Sequence, residues 1–188
     1  MFRRLALVVG LLLVAACARD ASVEDAASDM GNFRLGHTAV VVNAPEKGPF
    51  SRNATDAELK DALETALRDR FGSYAGDEFY HIGVKLDLYA LAMPGVPVVM
   101  APRSVFIVSV SFWQDSTQTR LSEEGGKGLT VYEGPTFEAV VSSGIFRSKK
   151  AQMRILADNT AKAIQDWILE NPEWIGLEAP KTDAQADN

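Results

Sequence analysis

The chain has 188 residues, a net charge of −6 from 19 Lys plus Arg and 25 Asp plus Glu, and a single cysteine. Its apolar fraction of 47% is sufficient for one core, and the length is typical of one domain. One thiol excludes a framework of intrachain disulfides and a cysteine-based zinc cluster. The acidic balance argues against a nucleic-acid partner, because general nucleic-acid binders normally carry a strongly basic face.

The N-terminus has the three-part layout of a secretory signal. Arg3 and Arg4 precede an apolar run over residues 5–14, and two alanines follow it. The positive start stays in the cytoplasm while the apolar run enters the membrane, and the run is too short to remain as a spanning helix. We therefore expect residues 1–16 to be a signal peptide. An ordinary signal with a chance cysteine at its end, or an uncleaved anchor, is the alternative.

The string Leu-Val-Ala-Ala-Cys that ends at Cys17 resembles the lipobox of bacterial lipoproteins. The resemblance implies that the signal is cut before Cys17, that its thiol receives a diacylglycerol, and that fatty acids such as palmitate also acylate the new amino group. Two or three acyl chains hold a protein stably, whereas one holds it only marginally. We expect a bacterial envelope protein that faces the periplasm. Ala18, rather than Asp, points to the outer membrane by the enterobacterial sorting pattern.

The mature chain is predicted to contain one domain between two unstructured segments. Residues 17–32 are small and acidic without apolar periodicity, which is typical of a tether, here a lipidated one. We expect a single folded domain over residues 33–177 and a disordered tail over residues 178–188. Loss of the signal removes two positive charges and changes the net charge from −6 to −8. Such a body does not adhere to anionic lipid by charge alone.

Two amphipathic helices are indicated by apolar residues at helical spacing. Thr55 and Glu58 form a capping-box pattern before the first stripe, which ends at Phe71. The second stripe covers residues 153–168, and Pro172 ends that helix.

Strands are predicted by alternation or by β-branched runs. They cover residues 37–43, 79–90 and 106–112, and a weaker strand or pair of strands follows through residues 129–132 and 137–142. The second and third of these are expected to pair as an antiparallel hairpin with a long tip. Each helix has one apolar stripe and each strand one apolar face. The predicted fold is therefore a two-layer α+β sandwich, with a mainly antiparallel sheet of about four strands and both helices packed on one face.

The sequence lacks the motifs of metalloproteases, serine hydrolases, P-loop proteins, dinucleotide-binding folds and EF-hands. We expect no enzymatic activity, no metal and no cofactor, although carboxylates alone can form a hydrolase. His37 and His81 are interpreted as partly exposed strand residues, with a pH sensor or ligand pair as the alternative. Trp167 and Trp174 are expected in the core and as its lid rather than around a cofactor.

The predicted hairpin tip, residues 94–102, is apolar and rich in proline, although polar turn residues are usual at such a tip. One interpretation folds this segment back over the sheet edge or makes it an edge strand. The other makes it a contact surface for a partner protein or lipid, because exposed apolar patches mark such sites. The predicted contact residues are Val96, Val98, Val99 and Met100.

A basic cluster lies around the start of the last predicted helix. Positive charge is unfavourable there, because the helix dipole is positive at its N-terminus, so the cluster requires solvent or an anion. The cluster is therefore interpreted either as a solvated basic patch or as an anion-binding site. The candidate anion-binding residues are Arg147, Lys149, Lys150 and Arg154.

The order of lipobox, tether, strand, helix, hairpin, strand and helix resembles that of the small lipopolysaccharide-assembly lipoproteins of Gram-negative bacteria, which plug and support an outer-membrane barrel. Auxiliary lipoproteins of transport and secretion systems have similar layouts. Only Cys17 can be carried over from this resemblance. We expect a lipid-anchored periplasmic binding or assembly module whose sheet edge and hairpin tip contact an envelope protein. The alternatives are a carrier or sensor of lipid or lipopolysaccharide, and a carboxylate-based hydrolase.

Overall fold

The computed structural model describes residues 29–93, 104–133 and 148–178. Within these ranges the chain forms an α+β domain of six strands and two α-helices. The strands are β1 (Phe33–Val41), β2 (Glu46–Lys47), β3 (Glu78–Ala90), β4 (Val105–Gln114), β5 (Thr119–Arg120) and β6 (Lys127–Tyr132). The helices are α1 (Asp56–Phe71) and α2 (Lys149–Leu169), followed by a 3-10 turn at Pro172–Ile175.

The sheet is mixed. Strands β3 and β4 form the predicted antiparallel hairpin, and β5 and β6 both pair antiparallel with β4. However, β1 and β2 run parallel to β3. The prediction of about four mainly antiparallel strands is therefore correct for the hairpin but incomplete, since α1 connects the first two strands to β3 as a crossover. Such a connection returns the chain in the same direction and produces parallel pairing.

Both predicted helices are confirmed, and side chains cap their N-termini. The Thr55 hydroxyl accepts the Glu58 N–H at 3.2 Å, and the Glu58 carboxylate accepts the Thr55 N–H at 2.9 Å, which completes the capping box. Ser148 caps α2 by accepting the Ala151 N–H at 3.1 Å. Helix α2 begins at Lys149, before the predicted apolar stripe, because its first turn is polar.

The core lies between the two helices and one face of the sheet. The rings of Phe33, Tyr80 and Phe112 stack at its centre, with centroids 5.4 Å apart for the first two and 5.2 Å for the last two. Trp167 is 6% exposed and meets the partly buried Trp174 edge-on at 5.3 Å, as expected for a core residue and its lid. Along β3 and β4, buried residues alternate with more exposed ones. Neither of the two described helices covers the other face of the sheet, which is called the open face below.

The N-terminal limit of the packed body lies before the first strand. Strand β1 starts at Phe33 rather than at residue 37, and Met30, in the predicted tether, is only 2% exposed. The amide of Asn32 donates to the carbonyl of Ile175 at 2.9 Å, so the chain is already fixed there. The predicted strand over residues 137–142 lies outside the described residues.

The two ends of the sheet are distinct. The proximal end is where β1 and β3 begin, beside Asp29, the first described residue, and the distal end is where β3 ends and β4 begins. Strand β3 has 13 residues, which corresponds to about 40 Å between the two ends. Neither helix in the described part of the chain has the length and apolar character needed to cross a membrane.

Candidate functional site

Three large hydrophobic side chains are exposed at the distal end, and one of them is Tyr132 at the end of β6, which is 54% exposed. Phe50 is 78% exposed, and Met93, just after β3, is 47% exposed. Phe50 also has a left-handed backbone with φ of 55°, a conformation that costs a residue with a Cβ about 1–2 kcal/mol. We call Phe50 and Met93 the distal surface.

Backbone and side-chain hydrogen bonds join the loop of Phe50 to the strand end that carries Met93. The Leu91 N–H donates to the Ser51 hydroxyl at 2.8 Å, and the Arg52 N–H donates to the Leu91 carbonyl at 2.9 Å. Both backbone groups of Leu91, its N–H and its carbonyl, are therefore hydrogen-bonded to the residues that follow Phe50. These bonds hold the backbone segments that carry the exposed Phe50 and Met93 side chains.

Helix α2 also forms hydrogen bonds to the loop of Phe50 and to the segment just after β3. The Gln152 side chain is 6% exposed; its amide donates to the Ala92 carbonyl at 3.1 Å, and its oxygen accepts from Arg52 at 3.2 Å. The Ala92 N–H donates to the Ser104 hydroxyl at 3.1 Å. The start of α2 thereby sets the position of the segment that precedes Met93.

The predicted tip residues continue from this surface along the chain but lie outside the described residues. They are Val96, Val98, Val99 and Met100. Sequence reasoning missed Phe50 because it stands alone between Pro49 and Ser51, outside every predicted strand and helix. The available signal was a large aromatic side chain in a segment without apolar periodicity.

Lys149 of the basic cluster is engaged by Glu58. Its ammonium lies 2.7 and 2.8 Å from the two carboxylate oxygens, so an ion pair joins the first turns of α1 and α2. The Lys149 hydrogen bond, followed by that of the Thr55 N–H, lowers the pKa of Glu58 from 4.5 to about 2. The positive charge near the α2 N-terminus is thus balanced by a residue of the other helix.

The other members of the cluster are separate from this pair. Lys150 is exposed, and Arg154 lies 3.7 Å from Asp158, one turn along α2. Arg147 lies outside the described residues. The anion-binding site stays a prediction.

Glu58→Gln is expected to reduce stability at neutral pH by more than it does in acid. Because folding depresses the pKa of Glu58, its contribution is fully present above about pH 4.5 and is lost as the pH falls towards 2. In urea unfolding, the difference between the parent and Glu58→Gln chains should be smaller at pH 3 than at pH 6. Glu64→Gln is the control, since Glu64 forms a longer ion pair, 3.7 Å from Lys60 on the same helix. An equal difference for Glu58→Gln at both pH values would contradict this assignment.

A polar cleft of about 450 Å³ lies between the helices. Burial raises the pKa of Asp158 in this cleft; the charge of Asp69 adds to the rise, and the Arg154 and Arg70 charges oppose it. The cleft therefore contains two carboxyl groups of which one is partly desolvated. Its polar lining residues are Asp69, Arg70, Ser73, Tyr74, Arg154 and Asp158.

The two histidines meet on the open face, with ring centroids 5.1 Å apart. The His37 N–H donates to Nδ1 of His81 at 3.0 Å, so Nε2 carries the proton and donates to Asp115 at 2.8 Å. A Cβ at Gly36 would lie 2.6 Å from that Nδ1, so glycine leaves room for the ring where the β1 register shifts. The interpretation as partly exposed strand residues is confirmed. Their contact was missed because it requires parallel pairing of β1 with β3.

Among residues 29–93, 104–133 and 148–178, no group of three or more His, Cys, Asp or Glu side chains is placed to hold a metal ion.

Comparisons with known proteins find likeness only among solved structures. No protein-family model matches the sequence, and no curated protein matches it. A Xanthomonas campestris protein of the family DUF330 is 14% identical, with a TM-score of 0.42, over 75% of this chain and 86% of that one. A candidate lipoprotein from Caulobacter crescentus is 11% identical, with a TM-score of 0.36, over 81% and 96% of the two chains. A minor lipoprotein from Acinetobacter baumannii is 16% identical, with a TM-score of 0.28, over 72% and 93%. At these TM-scores the likenesses assign neither a family nor an activity to this chain.

Proposed function

We propose that this chain is a lipid-anchored, non-catalytic binding module of the bacterial envelope, which faces the periplasm and contacts an envelope protein through its distal surface. In this proposal, the acyl chains on Cys17 are the anchor, and they insert into the outer membrane. The observation that carries the proposal is the exposure of Phe50 and Met93, 78% and 47%, at one end of the sheet.

The placement of this surface supports the proposal. The N-terminal segment joins the body at the proximal end, whereas the distal surface lies at the other end of β3, about 40 Å away. A partner that meets the distal surface therefore does not compete with the anchor for space. Complete burial of one Phe or Met side chain contributes about 1.5–3 kcal/mol. Burial of both side chains in an interface would therefore contribute substantially to the binding free energy.

Photo-crosslinking in intact cells tests the partner. A crosslinking amino acid at Phe50, at Met93 or at the predicted tip position Val98 should capture the same envelope protein. The control position is Glu64 on α1, whose side chain is 36% exposed; a crosslinker there should capture none. Phe50→Ser should reduce capture from Met93 several-fold. Labelling by solvent only at all three positions would refute the proposed contact.

The hydrolase alternative has one observation in its favour. Asp69 and Asp158 line the same cleft, and the pKa of Asp158 is raised mainly by burial, as a general acid requires. If the cleft is catalytic, turnover of chromogenic glycosides or esters should be present in the parent chain and lost in both Asp158→Asn and Asp69→Asn, but not in Asp61→Asn. The carrier alternative predicts lipid that copurifies with the chain and is detected by mass spectrometry.

A further inference from the structure

An arginine and aromatic surface lies at the proximal end of the open face. The guanidinium carbon of Arg34 is 5.2 Å from the centre of the Phe79 ring, and that of Arg120 is 5.7 Å from the centre of the Trp113 ring. Both rings remain exposed, Phe79 at 44% and Trp113 at 39%. We call these four residues the proximal surface.

The strand register brings these residues together. Arg34 on β1 lies opposite Phe79 on β3, and Arg120 on β5 lies opposite Trp113 on β4. Because Trp113 is paired with His81, two residues after Phe79, the two rings are diagonal neighbours on the same face. Four strands thus contribute one residue each to a single patch.

Neither arginine of the proximal surface is ion-paired within the described residues. Arg34 donates to the Ala75 carbonyl at 3.4 Å, and Arg120 donates through Nε to the Ser122 hydroxyl at 3.0 Å. A guanidinium has five N–H donors in a planar fork that suits phosphate oxygens. Each arginine therefore keeps donors for an anion while it stacks on a ring.

Two acidic residues beside this surface, Asp115 and Glu78, have partners on the protein. The Asp115 carboxylate accepts from His81 at 2.8 Å, and the Glu78 carboxylate accepts the Ser116 N–H at 3.1 Å. Among the described residues, neither carboxylate forms an ion pair with Arg34 or Arg120. The positive charge of the proximal surface is available to an external group.

The chain enters the described body at the same end. The described chain begins at Asp29, next to the start of β1, and the twelve peptide steps back to Cys17 span at most about 40 Å. Aromatic side chains and arginines are favoured where a membrane meets water, since each combines apolar area with a polar group. The entry point of the chain and the positive charge of the proximal surface therefore fit a contact with the membrane surface.

We propose that the proximal surface rests on the phosphate headgroups of the membrane that holds the acyl anchor, with Arg34 and Arg120 on phosphates and Phe79 and Trp113 at the headgroup level. This inference rests on the proposed function, because a body of net charge −8 needs the anchor to bring it to the lipid. It also orients the body. With the proximal surface on the membrane, the distal surface projects away from it.

Quenching of Trp113 fluorescence tests this contact. The acylated full chain is placed in vesicles of phosphatidylethanolamine and phosphatidylglycerol that contain a lipid with a nitroxide on its headgroup. The other described tryptophans are buried or partly buried, so Trp113 should account for most of the quenching. Trp113→Phe should abolish most of it, and Arg34→Gln with Arg120→Gln should reduce it at least about twofold. The control, Lys85→Gln with Lys127→Gln, removes the same charge elsewhere and should leave it unchanged.

Three results would overturn the inference. Sedimentation of the chain with vesicles, without quenching of Trp113 fluorescence, would refute the membrane contact of the proximal surface but would leave the anchor assignment intact. Equal quenching in the Arg34→Gln, Arg120→Gln chain and its control would refute the role of the arginines. Failure of the acylated chain to sediment with vesicles would refute both the anchor and the inference.

Discussion

Phe112→Ala is expected to lower the free energy of unfolding by about 3–5 kcal/mol. The Phe112 ring is 0% exposed and stacks on Tyr80, with Phe33 6.2 Å away and Trp174 5.9 Å away. Its removal opens a cavity that rigid aromatic neighbours fill poorly. Urea unfolding of the chain without its signal peptide, followed by far-UV circular dichroism, measures the change.

Phe79→Ala is the matched control for that substitution. Phe79 lies on the opposite face of the same sheet and is 44% exposed, so its truncation should cost about 1 kcal/mol or less. Equal losses for the two substitutions would contradict the assignment of the core to the helical side of the sheet.

Loss of Cys17 is expected to release the body from the membrane. Each buried methylene of an acyl chain contributes about 0.8 kcal/mol, and the body of net charge −8 has no comparable attraction to anionic lipid. Residues 18–188 behind an ordinary cleavable signal should therefore move from the membrane fraction to the periplasmic fraction. Their circular dichroism spectrum should show the same helix and strand content.

Ala18→Ser in the native chain is the control for release, since it keeps the cysteine and should stay in the membrane fraction. Retention of the chain without Cys17 after a high-salt wash would show a second membrane attachment. That result would contradict the assignment of the anchor to the acyl chains.

Much of the fold could be predicted because its signals are local. Thr55 and Glu58 stand three residues apart, and alternation along β3 and β4 reports burial on one face. Strand β1 is different, since its parallel pairing with β3 depends on where α1 returns the chain. Strand β2 has only two residues and no pattern of its own. Its pairing with Leu88 and Tyr89 could not be derived from sequence.

The site was less predictable because its interactions are long-range. Lys149 and Glu58 were each recognised, one in a basic cluster and one in a capping box, but they are 91 residues apart and only the packing of α1 on α2 joins them. The Arg34 and Phe79 contact depends in the same way on the register of β1. Phe50 is not part of any periodic apolar pattern in the sequence. Its exposure depends on the conformation of its loop, which long-range hydrogen bonds to Leu91 determine.

Mass analysis of the native protein tests the central claim most directly. The account predicts a mature chain that begins at Cys17 and carries a diacylglycerol on its thiol and a further acyl group on its amino group, so that its mass exceeds that of residues 17–188 by these lipids. A mature chain with a free thiol at Cys17, or one that still contains residues 1–16, would contradict it.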